Sequence, residues 1–175
     1  VDEYQDEAYF DGSAESGTAA FDARLLRQPA AVLPARKPIV LSRQHSVTDA
    51  IRAMQAEHRG VVLITRDGTP ASEVVGIFSE RDVLFRIVDG GRNPATLAVG
   101  EVMTADPECL RDGETIASVL NMMSIGGFRH VPVVDAQRRP RFVVSVRDVV
   151  QFLVEAFPRE VLNQAPDHQR QREGG

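Results

Sequence analysis

Two short runs hold most of the chemistry this chain offers: Ser79-Glu80-Arg81-Asp82 and Ser145-Val146-Arg147-Asp148. Each follows an apolar stretch, Val74 to Phe78 in one case and Phe142 to Val144 in the other, and each opens an apolar-striped segment that reads as a helix. A strand-to-helix junction leaves backbone N–H groups unpaired and concentrates positive partial charge, which suits a phosphate. The serine hydroxyl can donate to a phosphate oxygen, and the arginine can grip one through two N–H groups. The aspartate would repel phosphate, so it fits only a neutral diol such as the 2′- and 3′-hydroxyls of ribose. A second explanation needs no ligand. Ser-x-x-Asp is also a capping box, in which serine caps the helix and aspartate answers back to the serine N–H.

The elements that position these runs are themselves duplicated. Pro38-Ile39-Val40-Leu41 returns as Pro107-Glu108-Cys109-Leu110, and the apolar face Val47, Ala50, Ile51, Met54 returns as Ile116, Val119, Leu120, Met123, at a constant offset of 69 residues. The first unit reads as a strand over 39–41, a helix behind a Ser46-to-Asp49 capping box, a buried strand over 61–64, a turn at Arg66 to Pro70, and a return strand over 74–78. A helix from Ser79 follows, expected to bury Val83, Leu84, Ile87 and Val88 and to stop at Asp89-Gly90-Gly91. The second unit repeats the order: strand over 107–110, helix over about 115–124, strand over 131–134, turn over 135–140, strand over 142–144, and helix over 146–157. Each unit is β-α-β-β-α, and a unit this small should cover its exposed sheet with its twin. The expected boundaries are an acidic tail over 1–33 with a short helix near Phe21, Leu25 and Leu26, repeat one over 34–91, and a linker over 92–104 with one helical turn at Val99 to Thr104. Repeat two then covers 105–157 and a polar tail 158–175.

Composition narrows the function classes. The chain has 175 residues, 43% of them apolar, which is ordinary for a globular domain. No apolar run approaches the roughly 20 residues needed to span a bilayer, and the start lacks the layout of a signal peptide. A reducing cytoplasm is the expected compartment, and a first residue of Val1 fits a fragment of a longer chain. The net charge of −5 comes from the start: residues 1–22 carry seven acids and no base, leaving 20 bases against 18 acids elsewhere. No strong basic field marks a nucleic-acid binder. One cysteine, Cys109, excludes an internal disulfide and a thiolate cluster, and reads as a small core residue. His45, His58, His130 and His168 are too scattered to converge on a metal. Arg138-Arg139-Pro140-Arg141 reads as a solvated turn, with a place beside the second site's phosphates or at a dimer contact as the alternative. No P-loop, metal triad or Ser/His/Asp arrangement points to an enzyme.

The order of these motifs resembles a pair of cystathionine-β-synthase (CBS) domains, a tandem known as a Bateman module. Met103-Thr104 stands ahead of a strand, the run RHVPVVD (Arg129 to Asp135) stands at the central strand, and Ser-x-Arg-Asp opens the last helix. Repeat one matches best at GIFSERD, Gly76 to Asp82, and the likeness covers about residues 34–157. It implies an α/β fold of two β-α-β-β-α repeats packed sheet to sheet with pseudo-two-fold symmetry. It also implies two clefts that hold adenine nucleotides, AMP, ADP or ATP, with NAD or S-adenosylmethionine as further candidates and no required cofactor. By the resemblance, site one would use Ser79, Arg81 and Asp82 with Arg59 at the phosphate. Its adenine would lie against Ile77, Phe78, Glu108, Cys109 and Leu110. Site two would use Ser145, Arg147 and Asp148 with Arg129 or His130 nearby, and its base would lie against Ile39, Val40, Leu41 and Val143. Phe142 stands where the family prefers glycine and would crowd site two, whereas site one keeps Gly76, which favours site one. The implied role is a homodimeric regulatory sensor in signal transduction, acting on an effector protein or domain. The competing role is a ligand-free dimerisation or scaffold module whose Ser-x-Arg-Asp runs only cap helices.

Overall fold

The computed structural model describes residues 23–157. Helix α1 (Ala23–Leu26) precedes β1 (Val40–Ser42), α2 (Val47–Ala56), β2 (Val61–Thr65), β3 (Val74–Ser79) and α3 (Glu80–Asp82), which continues as a π-helical stretch over Val83–Val88. Strands β4 (Thr104–Ala105) and β5 (Leu110–Arg111) lead to α4 (Ile116–Gly126), β6 (His130–Val134), β7 (Pro140–Ser145) and α5 (Val146–Ala156). One sheet runs β1-β2-β3-β4 and the other β5-β6-β7. In each, the first strand lies parallel to the second and the hairpin strands lie antiparallel. Both hairpins slip register at the equivalent place, leaving Val75 and Arg141 without a cross-strand partner.

Alternation along the strands sorts side chains into three apolar layers. Val62 and Ile64 of β2 and Phe78 of β3 face α2 and α3. Val131, Val133 and Val144 face α1, α4 and α5. Val61, Leu63 and Val74 of the first sheet meet Val134 and Val143 of the second in a layer between the sheets. Among the described residues no helix is long and apolar enough to cross a membrane.

The leading segments are exchanged between the repeats. Residues 28–33, expected in the tail, dock onto repeat two: the Ala30 N–H donates to Glu114 O at 2.7 Å and the Ile116 N–H to Gln28 O at 2.9 Å. Their counterparts, 69 residues on, dock onto repeat one: the Val99 N–H donates to His45 O at 2.8 Å and the Val47 N–H to Leu97 O at 2.9 Å. Ala30 and Leu33 fill the core of repeat two, while Val99 and Val102 fill that of repeat one. The expected helical turn before repeat two is a 3-10 turn over Val99–Glu101, and the chain then pairs as β4 with β3. Gly76 makes that approach possible, because a Cβ there would overlap the Met103 thioether. Arg36 bridges Val143 of β7 in the same way.

The burial expected along α3 changes. Ile87 is buried and Val83 half-buried, but Leu84, Phe85 and Val88 are 61–66% exposed. The π-helical geometry widens the turn and rotates Leu84 and Val88 off the core face. In the second hairpin, Arg138 holds Asp106 at 2.8 Å, Arg139 holds Asp135 at 2.8 Å and Arg141 faces Asp112 at 3.5 Å. The basic turn is solvated as expected, its arginines 37–56% exposed and each paired with an aspartate. The short N-terminal helix spans Ala23 to Leu26, and Phe21 and Pro158 lie outside the described residues.

Leu33→Ala should cost about 2–5 kcal/mol, the range for a buried leucine, when measured by urea unfolding. A loss under about 0.5 kcal/mol, normal for an exposed site, would contradict the exchanged packing.

Candidate functional site

Two αL turns aim the cations at the centre of the molecule. At the end of α2, His58 takes φ 50 and the chain closes a Schellman pair, with the Arg59 N–H on Met54 O at 2.8 Å and the His58 N–H on Gln55 O at 3.2 Å. At the end of α4, Gly127 takes φ 66 and leads to Arg129. Both turns deliver an arginine just ahead of a central strand, β2 or β6, at the point where the two repeats meet.

Each Ser-x-Arg-Asp run caps its helix. The Ser145 N–H and Oγ both donate to Asp148 Oδ2 at 2.7 Å, and the Asp148 N–H returns to Ser145 Oγ at 3.3 Å. The Ser79 N–H and Oγ donate to Asp82 Oδ2 at 2.8 and 2.7 Å. The copies differ at the other carboxylate oxygen. Asp82 Oδ1 pairs with Arg86 Nε at 3.2 Å, and Arg86 also donates to Val102 O at 2.6 Å and Thr104 Oγ1 at 3.0 Å. Asp148 Oδ1 accepts from no donor among the described residues.

Two clefts open beside these caps. The first, about 930 Å³, gathers Ile77, Ser79, Arg81, Asp82 and Glu108 of the expected site-one residues. Phe78 points instead into the core of repeat one. Cys109 and Leu110 do not reach the cleft. The Cys109 thiol donates to Pro107 O at 3.3 Å beside the layer between the sheets, and burial pushes its pKa up. Leu110 packs on the core of repeat two. Residues not anticipated for this cleft include Glu80, Arg86, Thr104, Asp106, Phe128 and Pro132. Phe128 directly precedes Arg129, so its place beside a motif was the available signal.

The second cleft, about 260 Å³, gathers Arg129, His130, Val143, Ser145, Arg147 and Asp148. Arg59, expected at site one, lines this cleft instead, because the αL turn at His58 turns it toward β7 and α5. Arg36 and Gln151 join it unanticipated. Ile39, Val40 and Leu41 are not part of it. Ile39 and Leu41 pack on the core of repeat one, and Ile39 O accepts from the Leu63 N–H at 2.9 Å within the sheet. Phe142 does not crowd the cleft either, since its ring joins the core of repeat two.

Gly60, Val61, Arg129 and His130 line both clefts. A Cβ at Gly60 would stand 3.1 Å from Glu80 Oε2 and 3.2 Å from His130 Cε1, so the missing side chain lets α3 and β6 close on each other. Burial holds the His130 pKa below its ordinary value, outweighing the pull of Glu80 and Asp148 toward the charged form, with Arg129 and Arg59 acting in the same direction as burial. Arg59 is also shifted downward, first by burial and then by Arg36. Its Nη2 donates to Lys37 O at 3.0 Å, while its buried Nε has no partner among the described residues. Among the described residues no cluster of His, Cys, Asp and Glu could hold a metal ion.

The His130 shift has a definite sign. A histidine with a depressed folded pKa gives stability that is complete above its unfolded value of about 6.5 and is lost as pH falls through the folded value. Unfolding free energy measured from pH 7.5 to 5 should therefore fall less steeply in His130→Gln than in wild type. Parallel curves would mean that the ring is solvated.

The comparisons with known proteins agree with this architecture. The CBS domain family model matches residues 30–89 and 99–155. The CBS domain-containing protein CBSCBSPB2 of Arabidopsis thaliana is 29% identical over 123 residues, which is 70% of this chain and 22% of the relative. The chain therefore spans about a fifth of that relative's length. The CBS domain protein PAE2072 of Pyrobaculum aerophilum, solved with AMP, superposes with a TM-score of 0.66 at 21% identity, over 78% of this chain and all of that one. The CBS domain pair of protein MJ0100, solved with 5′-methylthioadenosine and S-adenosyl-L-methionine, gives 0.58 at 21% identity over 68% and 94% of the two chains. With both matched segments falling on the two halves of an exchanged, sheet-to-sheet pair, the chain belongs to the CBS domain family and carries two such domains in tandem.

Proposed function

We propose that this tandem is a regulatory module that binds an adenine nucleotide and reports it through the relative placement of its two repeats, without catalysing a reaction. The observation that supports this most is the make-up of the second cleft. Arg36 and Arg59 come from one half of the chain, and Arg129, Ser145, Arg147 and Asp148 from the other. A ligand held by both sets bridges the repeats, and any difference in its affinity for two arrangements shifts the balance between them. Asp148 keeps one carboxylate oxygen for a ribose diol, whereas both oxygens of Asp82 already have partners. The second cleft is therefore the stronger nucleotide candidate, and the first is the weaker. PAE2072 with AMP and MJ0100 with adenosyl compounds are structural neighbours that support an adenine-bearing ligand here.

The module pairs with a second copy through α3 and α5. Leu84, Phe85 and Val88 on α3 and Val146 and Val150 on α5 are exposed apolar side chains, and Leu84 and Val150 occupy equivalent positions of the two repeats. A self-complementary patch on a pseudo-two-fold unit suits an isologous dimer. The regulated effector is a separate protein or domain, and the cytoplasm is the proposed compartment.

A thermal-shift titration with AMP, ADP, ATP, NAD and S-adenosylmethionine should raise the Tm of wild type with ligand concentration. Asp148→Asn should lose that response while the unliganded protein still melts cooperatively. If wild type responds to none of these ligands, the capping-and-scaffold role takes precedence. In sedimentation velocity, Phe85→Glu should shift the dimer to monomer, and an unchanged sedimentation coefficient would remove α3 from the interface.

A further inference from the structure

The two clefts differ in the sign of their charge. The second sets four guanidinium groups, Arg36, Arg59, Arg129 and Arg147, against the single carboxylate of Asp148. The first sets Arg81, Arg86 and Arg129 against Glu80, Asp82, Asp106 and Glu108. Two of those three cations are already engaged. Arg86 is held by Asp82, Val102 O and Thr104, and Arg81 lies 5.4 Å from the centroid of the Phe85 ring.

Three features of the second cleft point to more than one phosphate group. Arg36 stands close enough to Arg59 to add to the effect of burial in disfavouring the Arg59 charge, a repulsion that an anion between them would relieve. Arg59 Nε is buried with no acceptor among the described residues, a costly state for a charged donor unless a ligand completes it. The enclosed volume, about 260 Å³, is below the roughly 300–1,000 Å³ that encloses a whole drug-sized ligand. It can swallow a phosphate chain while sugar and base lie at the mouth, near Asp148.

We propose that the second cleft selects nucleotides by the length of their phosphate chain, taking a nucleoside di- or triphosphate over a monophosphate, and that the first cleft takes no such chain. This rests on the nucleotide-binding function above and adds the ligand class to it. Added phosphates bring charge that four arginines from four separate segments can share. The same charge is repelled by the acids of the first cleft.

Calorimetric titration of the full chain at fixed ionic strength, without divalent cations, tests this with AMP, ADP, ATP and inorganic tripolyphosphate. Affinity should rise in the order AMP, ADP, ATP by about tenfold or more in total, with tripolyphosphate displacing ATP. Arg36→Gln and Arg59→Gln should each weaken ATP about tenfold, the loss of one charge-assisted contact, and narrow the gap between ATP and AMP. Arg52→Gln, on the outer side of α2, removes the same charge and should leave ATP affinity within about twofold. Arg36 is exposed, so its variant remains informative if Arg59→Gln folds poorly. Equal affinity for AMP and ATP, or Arg36→Gln behaving like Arg52→Gln, would overturn the phosphate-chain preference and leave nucleotide binding standing. Binding of none of the nucleotides would overturn both.

Discussion

Neither repeat closes its own sheet or its own core. The hydrogen bonds that join Gln28 and Ala30 to Glu114 and Ile116, and those that join Leu97 and Val99 to His45 and Val47, carry each leading segment across to the other repeat. With those segments go Ala30 and Leu33 in one direction and Val99 and Val102 in the other, all buried. Small units bury too little surface to be stable alone, and here the missing part of each core is supplied by its twin. The two halves are therefore joined by exchanged chain, and a ligand of the proposed kind that spanned them would act on that joint rather than on a loose hinge.

The clefts follow from that exchange. Because β4 lies on β3 and Arg36 lies on β7, each leading segment forms one wall of a groove whose other wall is a capped helix. Arg36 reaches the second cleft for this reason, and Thr104 and Asp106 reach the first. The αL turns at His58 and Gly127 then bring Arg59 and Arg129 to the common centre. His130, Arg129 and Gly60 belong to both grooves, so the chemistry of one is never far from the other.

The capping box and the proposed ligand site draw on the same residues and are compatible with each other. Serine and aspartate close the helix start in both copies, which orders the first turn and fixes where the arginine and the remaining carboxylate oxygen lie. In the second copy that oxygen has no partner among the described residues. In the first, Arg86 takes it, and the same arginine ties α3 to the segment before β4. Sequence similarity between the copies conceals this divergence, because Arg86 lies outside the repeated run.

The sequence by itself determined the duplication, the β-α-β-β-α order, the capping at Ser46, Ser79 and Ser145, and the family resemblance, because these depend on local periodicity and on residues a few positions apart. It placed Ser145, Arg147 and Asp148 together for the same reason, while the resemblance alone put Arg129 and His130 beside them. It did not reveal the exchange of 28–33 with 97–102, since the two segments share little beyond small and branched apolar side chains and their partners are distant in the chain. Gly76 read as room for a ligand, whereas it makes room for Met103, a contact between repeats. Arg59 read as part of the first site, whereas a left-handed turn one residue earlier directs it to the second. Which guanidiniums converge, which carboxylate oxygen is left without a donor, and how large each groove is were decided only by tertiary structure. All three depend on how two sheets and two exchanged segments stack, which no local pattern encodes.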